Sequence, residues 1–263
     1  MVLFLSLWCL LGAEKPKPRE APFYSAESIV NAADNQSGAL APNSIATVYG
    51  TNLAYSTATI SQNDISGGVL PVWLGASDTT VLIDNYPVPL FYASPGQINF
   101  LVPPYLLPGP ATFSVDVDTS HGPIIQLTLG AAAPGLFQLD AQNAVATLAD
   151  GSVLTPSSPA KPGDIVVLWA AGLGQTKAPK EDPPVQVPTA AWPLVAGANP
   201  SVLLDGAAVD PSAIYYAGQA PGFAGLYQIN VTLPQSTKAN PEIRVQVDGV
   251  LSVPQVHLPV MLN

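Results

Sequence analysis

The chain has 263 residues, 48% of them hydrophobic and only 10% charged, with a mean hydropathy of +0.31 and a formal net charge of −10. It is too apolar for a disordered chain and long enough for two domains that each bury a core. Its eight lysines and arginines leave the stretch from Ala21 to Ala133 without one. The basic stripe that nucleic acid requires is missing, and so is the charge that an anionic membrane surface would attract.

Residues 1–13, MVLFLSLWCLLGA, are an apolar run too short to span a bilayer as a mature helix. Followed by the polar break Glu14-Lys15-Pro16-Lys17-Pro18, they predict a signal peptide cleaved near Ala13, with no membrane span in the mature chain. The single cysteine, Cys9, lies inside that run, so neither disulfides nor cysteine metal sites are expected after cleavage. Residues 14–20 read as a proline-spaced linker.

From Ala21 onward the chain repeats itself. LAPNSIATVYGTNLA (40–54) returns as AKPGDIVVLWAAGLG (160–174), with Ile45 and Ile165, Tyr49 and Trp169, and Leu53 and Leu173 aligned at an offset of 120 residues. A proline- and glycine-rich connection follows in each copy, through Trp73 in the first and Trp192 in the second. In the second copy the run from Lys177 to Pro184 reads as a solvated loop. Asp84-Asn85 and Asp205-Gly206, flanked by apolar residues, predict tight hairpins, because these residue types tolerate positive φ. PLFYASPGQINFLVP (89–103) then corresponds to IYYAGQAPGFAGLYQINVTLP (214–234), each an aromatic pair, a Pro-Gly turn and a Gln-Ile-Asn strand ending at proline. Thr112–Val117 and Ile243–Asp248 alternate apolar and polar, which predicts strands with one buried and one wet face. Prolines interrupt almost every window long enough for a helix. The expected fold is all-β: two tandem immunoglobulin-like β-sandwiches, 21–133 and 134–263.

The stretch from Pro42 to Leu53 resembles the opening of an IPT/TIG immunoglobulin-like domain, with its turn, apolar strand and Gly-x-Asn-hydrophobic corner. Gly172-Leu173-Gly174 keeps the corner without the Asn. The succession NAA, LAPNSIATVYGTNLA, PLFYASPGQINFLVP, PGPATFSV, APGLF, KPGDIVVLWAAGLG and APGFAGLYQINVTLP, covering most of Ser28 to Val260, resembles the Solibacter-type C-terminal domain of secreted acidobacterial proteins. That resemblance implies a bacterial, extracellular module with no established activity.

The residues argue against catalysis. His121 falls in a predicted hairpin loop and His257 in an alternating terminal strand; no Gly-x-Ser-x-Gly elbow is present. Asp116 and Asp118 read as a wet strand face, since a hard cation needs more converging oxygens. Asp84 and Asp205 are explained by their turns. No cofactor, metal or catalytic set is expected. Candidate recognition residues are the repeated tryptophans Trp73 and Trp192, which could stack on a sugar, and the repeated amides Gln97, Asn99, Gln228 and Asn230. The competing reading packs the tryptophans and uses the amides to satisfy the backbone of the adjoining turn. The function expected is a secreted or cell-surface, non-catalytic module for binding or adhesion, with an extracellular protein or polysaccharide as partner. The alternatives are an assembly subunit pairing through edge strands, and a secreted hydrolase with an interdomain site.

Overall fold

The computed structural model describes residues 20–178 and 183–262. The expected signal peptide and nearly all of the linker lie outside these residues, as do positions 179–182 of the Lys/Pro-rich connection.

The first repeat contains β1 (Ile29–Asn31), β2 (Ile45–Tyr49), β3 (Ala58–Thr59), β4 (Thr79–Ile83), β5 (Tyr86–Pro87), β6 (Leu90–Ser94), β7 (Gln97–Leu101), β8 (Gly109–Val117), β9 (Ser120–His121) and β10 (Ile125–Leu129). The second contains β11 (Gly135–Leu136), β12 (Ala146–Leu148), β13 (Ile165–Ala171), β14 (Trp192–Pro193), β15 (Pro200–Leu204), β16 (Ala207–Ala208), β17 (Ile214–Gln219), β18 (Tyr227–Thr232), β19 (Ile243–Val247) and β20 (Val250–Leu251). Each repeat builds two antiparallel sheets. In the first the orders are β1-β2-β7-β6-β3 and β10-β8-β4-β5; in the second, β11-β13-β18-β17-β14 and β16-β15-β19-β20. The architecture is all-β, a pair of tandem immunoglobulin-like sandwiches.

The alternation read from the sequence sets which face is buried. In the first repeat Val48, Ile98 and Phe100 from one sheet meet Val81, Phe113 and Val115 from the other in a single core. Phe113 is its centre, with ring centroids 5.4 Å from Phe100 and 5.5 Å from Tyr24. Burial pushes the Tyr24 hydroxyl up to about 12, and it accepts from Val115 N while donating to Pro123 O, each at 2.7 Å. The second core is largely aliphatic, joining Val166, Leu168 and Ile229 to Val202, Ile243 and Val245. Both predicted hairpins form, with positive φ at Asp84 and Asn85 and at Asp205 and Gly206.

The repeat extends to register. Tyr49 pairs with Gln97 and Thr47 with Asn99, just as Trp169 pairs with Gln228 and Val167 with Asn230. Even the irregularity is kept: a bulge sits at Phe91 in β6 and at Tyr215 in β17. His257 departs from expectation. It makes single bridges to Asn143 and Glu242 rather than joining a strand, because Pro254 and Pro259 withdraw ladder donors on either side.

The sandwiches touch through buried polar groups as well as apolar ones. Asn43, held at φ 61, donates from Nδ2 to the Tyr227 hydroxyl at 3.0 Å, and that hydroxyl donates to Gly174 O. Tyr227→Phe leaves the Asn43 amide and a buried carbonyl without this partner. Its expected cost is about 1–3 kcal/mol in denaturant unfolding. A change below about 0.5 kcal/mol would show that the contact contributes nothing to stability.

Candidate functional site

The Gln-Ile-Asn strand places its two amides on the outer face of the first five-stranded sheet, because alternation sends Ile98 and Phe100 inward. Pairing then brings Tyr49 and Ser94 beside Gln97, and Thr47 and Tyr92 beside Asn99. The amides bond to side chains rather than to the turn: Asn99 Oδ1 accepts from Gln97 Nε2 at 2.8 Å and from Thr47 Oγ1 at 3.1 Å. The turn is closed instead by Ser94, whose hydroxyl accepts from Gln97 N at 3.1 Å. Tyr49 is exposed, its hydroxyl donating to Asn35 Oδ1 at 3.0 Å. The result is a preorganised strip of phenols and amides on a rigid sheet.

Ile45, on the same face of β2 as Thr47 and Tyr49, and Phe91, next to Tyr92, line a neighbouring cleft of about 460 Å³ between the repeats. Ile45 and Leu101 face the turn between β17 and β18, where a Cβ on Gly225 would lie 2.7 Å from both side chains. That turn is longer than its counterpart. The offset between copies is 124 residues at Tyr92 and Tyr216 but 131 at Asn99 and Asn230, so the second copy carries seven extra residues. They reach over the first sheet and leave Phe223 64% exposed at the cleft wall. Phe91, the bulged residue of β6, forms another wall; a bulge is a common way to re-aim one side chain out of alternation. Ile60 and Ile65 close the opposite side. Beneath them Leu70, Leu101, Val185 and Ala224 form a small buried cluster. Leu70 N donates to Val185 O at 2.9 Å and Val187 N to Gly68 O at 2.8 Å, tying the two proline-rich connections together.

The equivalent face of the second repeat is built differently. Trp169, Gln228, Asn230 and Tyr216 occupy the matching positions, all half-buried. Val167 stands where the first repeat has Thr47 and supplies no hydroxyl, and Asn230 Oδ1 is buried without a partner among the described residues. The Tyr216 hydroxyl is spent on Gln219 O at 2.7 Å, and burial raises it to about 12. Of the sequence-predicted residues, Gln97 and Asn99 therefore line the strip. Gln228 and Asn230 lie on the separate second face.

The tryptophans do not occupy equivalent places. Trp73, 53% exposed, follows Pro71, whose carbonyl accepts from Leu90 N at the start of β6. Trp192 is half-buried in β14 opposite Gln219, at the end of the corresponding strand β17. Neither lines the cleft. Sequence reasoning missed Phe223, Ile60 and Ile65; the seven-residue excess in the second turn was the available signal for Phe223.

Elsewhere, His121 lies in β9 rather than in a loop, with Nδ1 3.0 Å from Asp116 Oδ1 on an exposed hairpin. Among the described residues no three His, Cys, Asp or Glu side chains converge as metal ligands. None of the helical segments described is long and apolar enough to cross a membrane.

Neither a protein-family model nor a curated protein matches the chain. Among solved structures it is similar to SGBP-B of the mixed-linkage glucan utilization locus of Bacteroides ovatus, solved with a mixed-linkage heptasaccharide. The identity is 12% and the TM-score 0.31, over 95% of this chain and 47% of that one. It is also similar to the extracellular region of plexin A4, at 12% identity and TM-score 0.28 over 91% and 18% of the two chains. A third is the gamma-CGTase of Alkalophilic bacillus clarkii, at 11% identity and TM-score 0.27 over 92% and 27%. The chain spans less than half the length of each of these proteins.

Proposed function

We propose that the chain is a secreted or cell-surface, non-catalytic binding module whose ligand is a polysaccharide lying along the first outer sheet face and into the junction cleft. The observation that carries this is the adjacency of the strip, Tyr49, Gln97, Asn99 and Tyr92, to the apolar cleft, which begins at Ile45 on the same strand face and at Phe91 beside Tyr92. A sugar ring offers both chemistries at once: hydroxyls for the phenol and amide groups, and an apolar C–H face for aromatic rings. Acidic composition without basic clusters suits a neutral ligand better than a polyanion. The resemblance to a secreted acidobacterial domain family supports the same extracellular setting.

The edge strands favour binding over assembly. β3, β5, β14, β16 and β20 are each two residues long, and β5 and β14 carry proline. The five-residue edge β10 is met by Leu40, which donates to Thr128 O and accepts from Gly130 N. Short, proline-bearing and covered edges are poor templates for strand pairing between molecules.

Purified protein is offered a panel of neutral soluble polysaccharides in affinity electrophoresis, with released sugars assayed in parallel. Saturable retardation by at least one polymer without product is expected. Tyr49→Ala and Phe223→Ala each weaken it about tenfold or more, as loss of an aromatic anchor does. Tyr215→Ala, on the exposed bulge of the second repeat, leaves it unchanged. Binding that ignores Tyr49→Ala and Phe223→Ala moves the ligand off this surface, and product release overturns the non-catalytic reading.

A further inference from the structure

A second cavity, of about 200 Å³, opens at the seam between the repeats and shares no lining residue with the cleft. Its one charged group is Asp34, in the turn after β1, which is only 9% exposed; Asn31, Gln36 and Ser37 are the other polar residues of its lining. One carboxylate oxygen, Oδ1, accepts from Gln36 N at 3.1 Å and holds the turn. Besides Gln36 N, the carboxylate has only its own backbone amide close by, and no cation stands beside it among the described residues. The other oxygen, Oδ2, lies 2.9 Å from where a Cβ on Gly135 would stand, so the carboxylate reaches the inter-repeat connection. No lysine, arginine or histidine lines the cavity, and among the described residues no ion pair involves Asp34. The remaining walls are mostly apolar, including Ala133, Pro134, Leu251 and Val253.

A buried carboxylate without a counter-charge is costly, and folded proteins ordinarily pair it or coordinate it. Here burial raises the Asp34 carboxyl to about 6, with the backbone amides of Gln36 and of Asp34 itself pulling the other way. At neutral pH the cavity therefore presents an anion at its polar end and methylene-sized apolar surface along its sides. We propose that this cavity binds an alkylammonium group, the terminal chemistry of a lysine side chain or of a small primary amine. The ammonium donates to Oδ2 and supplies the missing charge, while its methylene stem covers Pro134, Leu251 and Val253, as lysine stems do on apolar surface. Methyl-capped quaternary ammonium would offer charge but no donor, and is expected to bind less well.

The carboxyl carbon of Asp34 reports on this directly by NMR titration of the full chain. With n-butylammonium chloride its midpoint falls saturably by about one pH unit, as an adjacent opposite charge produces, and matched sodium chloride does not reproduce the fall. Asp34→Asn abolishes saturable binding of the amine, followed by perturbation of neighbouring amide signals. Ala39→Lys, at an exposed position on the cavity rim, lowers the Asp34 midpoint without added amine and blocks the n-butylammonium effect. A second arm offers a peptide with one lysine: a response at lower concentration than n-butylammonium assigns the site to a protein ligand, and a weaker one to a free amine. The proposal is overturned if the midpoint does not move saturably, if sodium chloride moves it equally, or if Asp34→Asn binds as wild type. Should Asp34→Asn fail to fold, an Ala39→Lys protein with an unmoved Asp34 midpoint overturns it independently.

The same group gives a pH signature. Its folded carboxyl titrates above the unfolded range, so its contribution to stability is complete below that range and is lost as pH rises through about 6. Asp34→Asn is therefore more stable than wild type at neutral pH, and saturating n-butylammonium narrows that difference in Tm.

Discussion

Phe113→Ala lowers the unfolding free energy of the first sandwich by about 3–5 kcal/mol, the range for deleting a buried aromatic ring. Phe113 is fully buried, and its ring meets both Phe100 and Tyr24, so neither sheet can collapse into the space without moving a second aromatic. The neighbouring Tyr24 hydroxyl ties Val115 N to Pro123 O, and that link is strained once the ring beneath it is gone. The second core contains none of these residues, so the loss falls on one sandwich first. Hydrogen exchange read by mass spectrometry resolves this: peptides of β2, β4, β7 and β8 lose protection well before those of β13, β15, β18 and β19. Equal loss in both sets would mean that the repeats unfold as one cooperative unit. In that event Phe113 would report on the whole chain.

Gly172→Ala has a comparable effect through a different mechanism. Gly172 has φ +75, and a Cβ there would stand 2.1 Å from Ala133 O, a backbone atom of the inter-repeat connection. That carbonyl is itself fixed by Asn31 Nδ2 at 2.9 Å, and Ala133 N donates back to Gly172 O at 2.8 Å. The left-handed φ alone costs about 1–3 kcal/mol in a non-glycine residue. The steric displacement of the connection is added to it. Gly151→Ala provides the control, since it has φ +86 with open space around the added methyl. The expected result is a Tm depression clearly larger for Gly172→Ala than for Gly151→Ala, together with faster exchange of the Ala133 amide. Equal depressions, or an Ala133 amide as protected as in wild type, would show that the connection does not depend on the close approach at Gly172.

These variants separate fold from function. Neither Phe113 nor Gly172 lines the strip or the cleft, whereas Tyr49 and Phe223 are exposed and lie outside both large cores. A loss of ligand retention in Tyr49→Ala or Phe223→Ala at unchanged Tm is therefore a statement about recognition.

Much of the architecture was legible in the residues because β structure writes itself with a period of two. The alternation of Thr112–Val117 and Ile243–Asp248 marked the inner faces, and Asp84-Asn85 and Asp205-Gly206 marked the hairpins by their tolerance of positive φ. The 120-residue offset of Ile45 and Ile165 and the repeated Gln-Ile-Asn strands carried the duplication down to the register of Tyr49 with Gln97 and Trp169 with Gln228. Alternation also sent the amides outward together. What it did not specify was their partners, since Thr47 and Asn99 are 52 positions apart and meet only through pairing. Trp73 and Trp192 follow similar proline-rich connections in sequence, yet Trp192 joins β14 opposite Gln219 while Trp73 lies outside the strands, because pairing depends on partners far along the chain. The cleft depended on the seam between sandwiches, where the longer turn carrying Phe223 crosses Ile45 and Leu101, and the bulge at Phe91 breaks the period that sequence reading relies on. Nothing in the sequence singles out Asp34; its place in the cavity depends on the approach of the connection at Gly135 and of the second repeat at Leu251. Local period and turn chemistry determined the strands; long-range packing, which no short window of residues encodes, decided the surfaces between them.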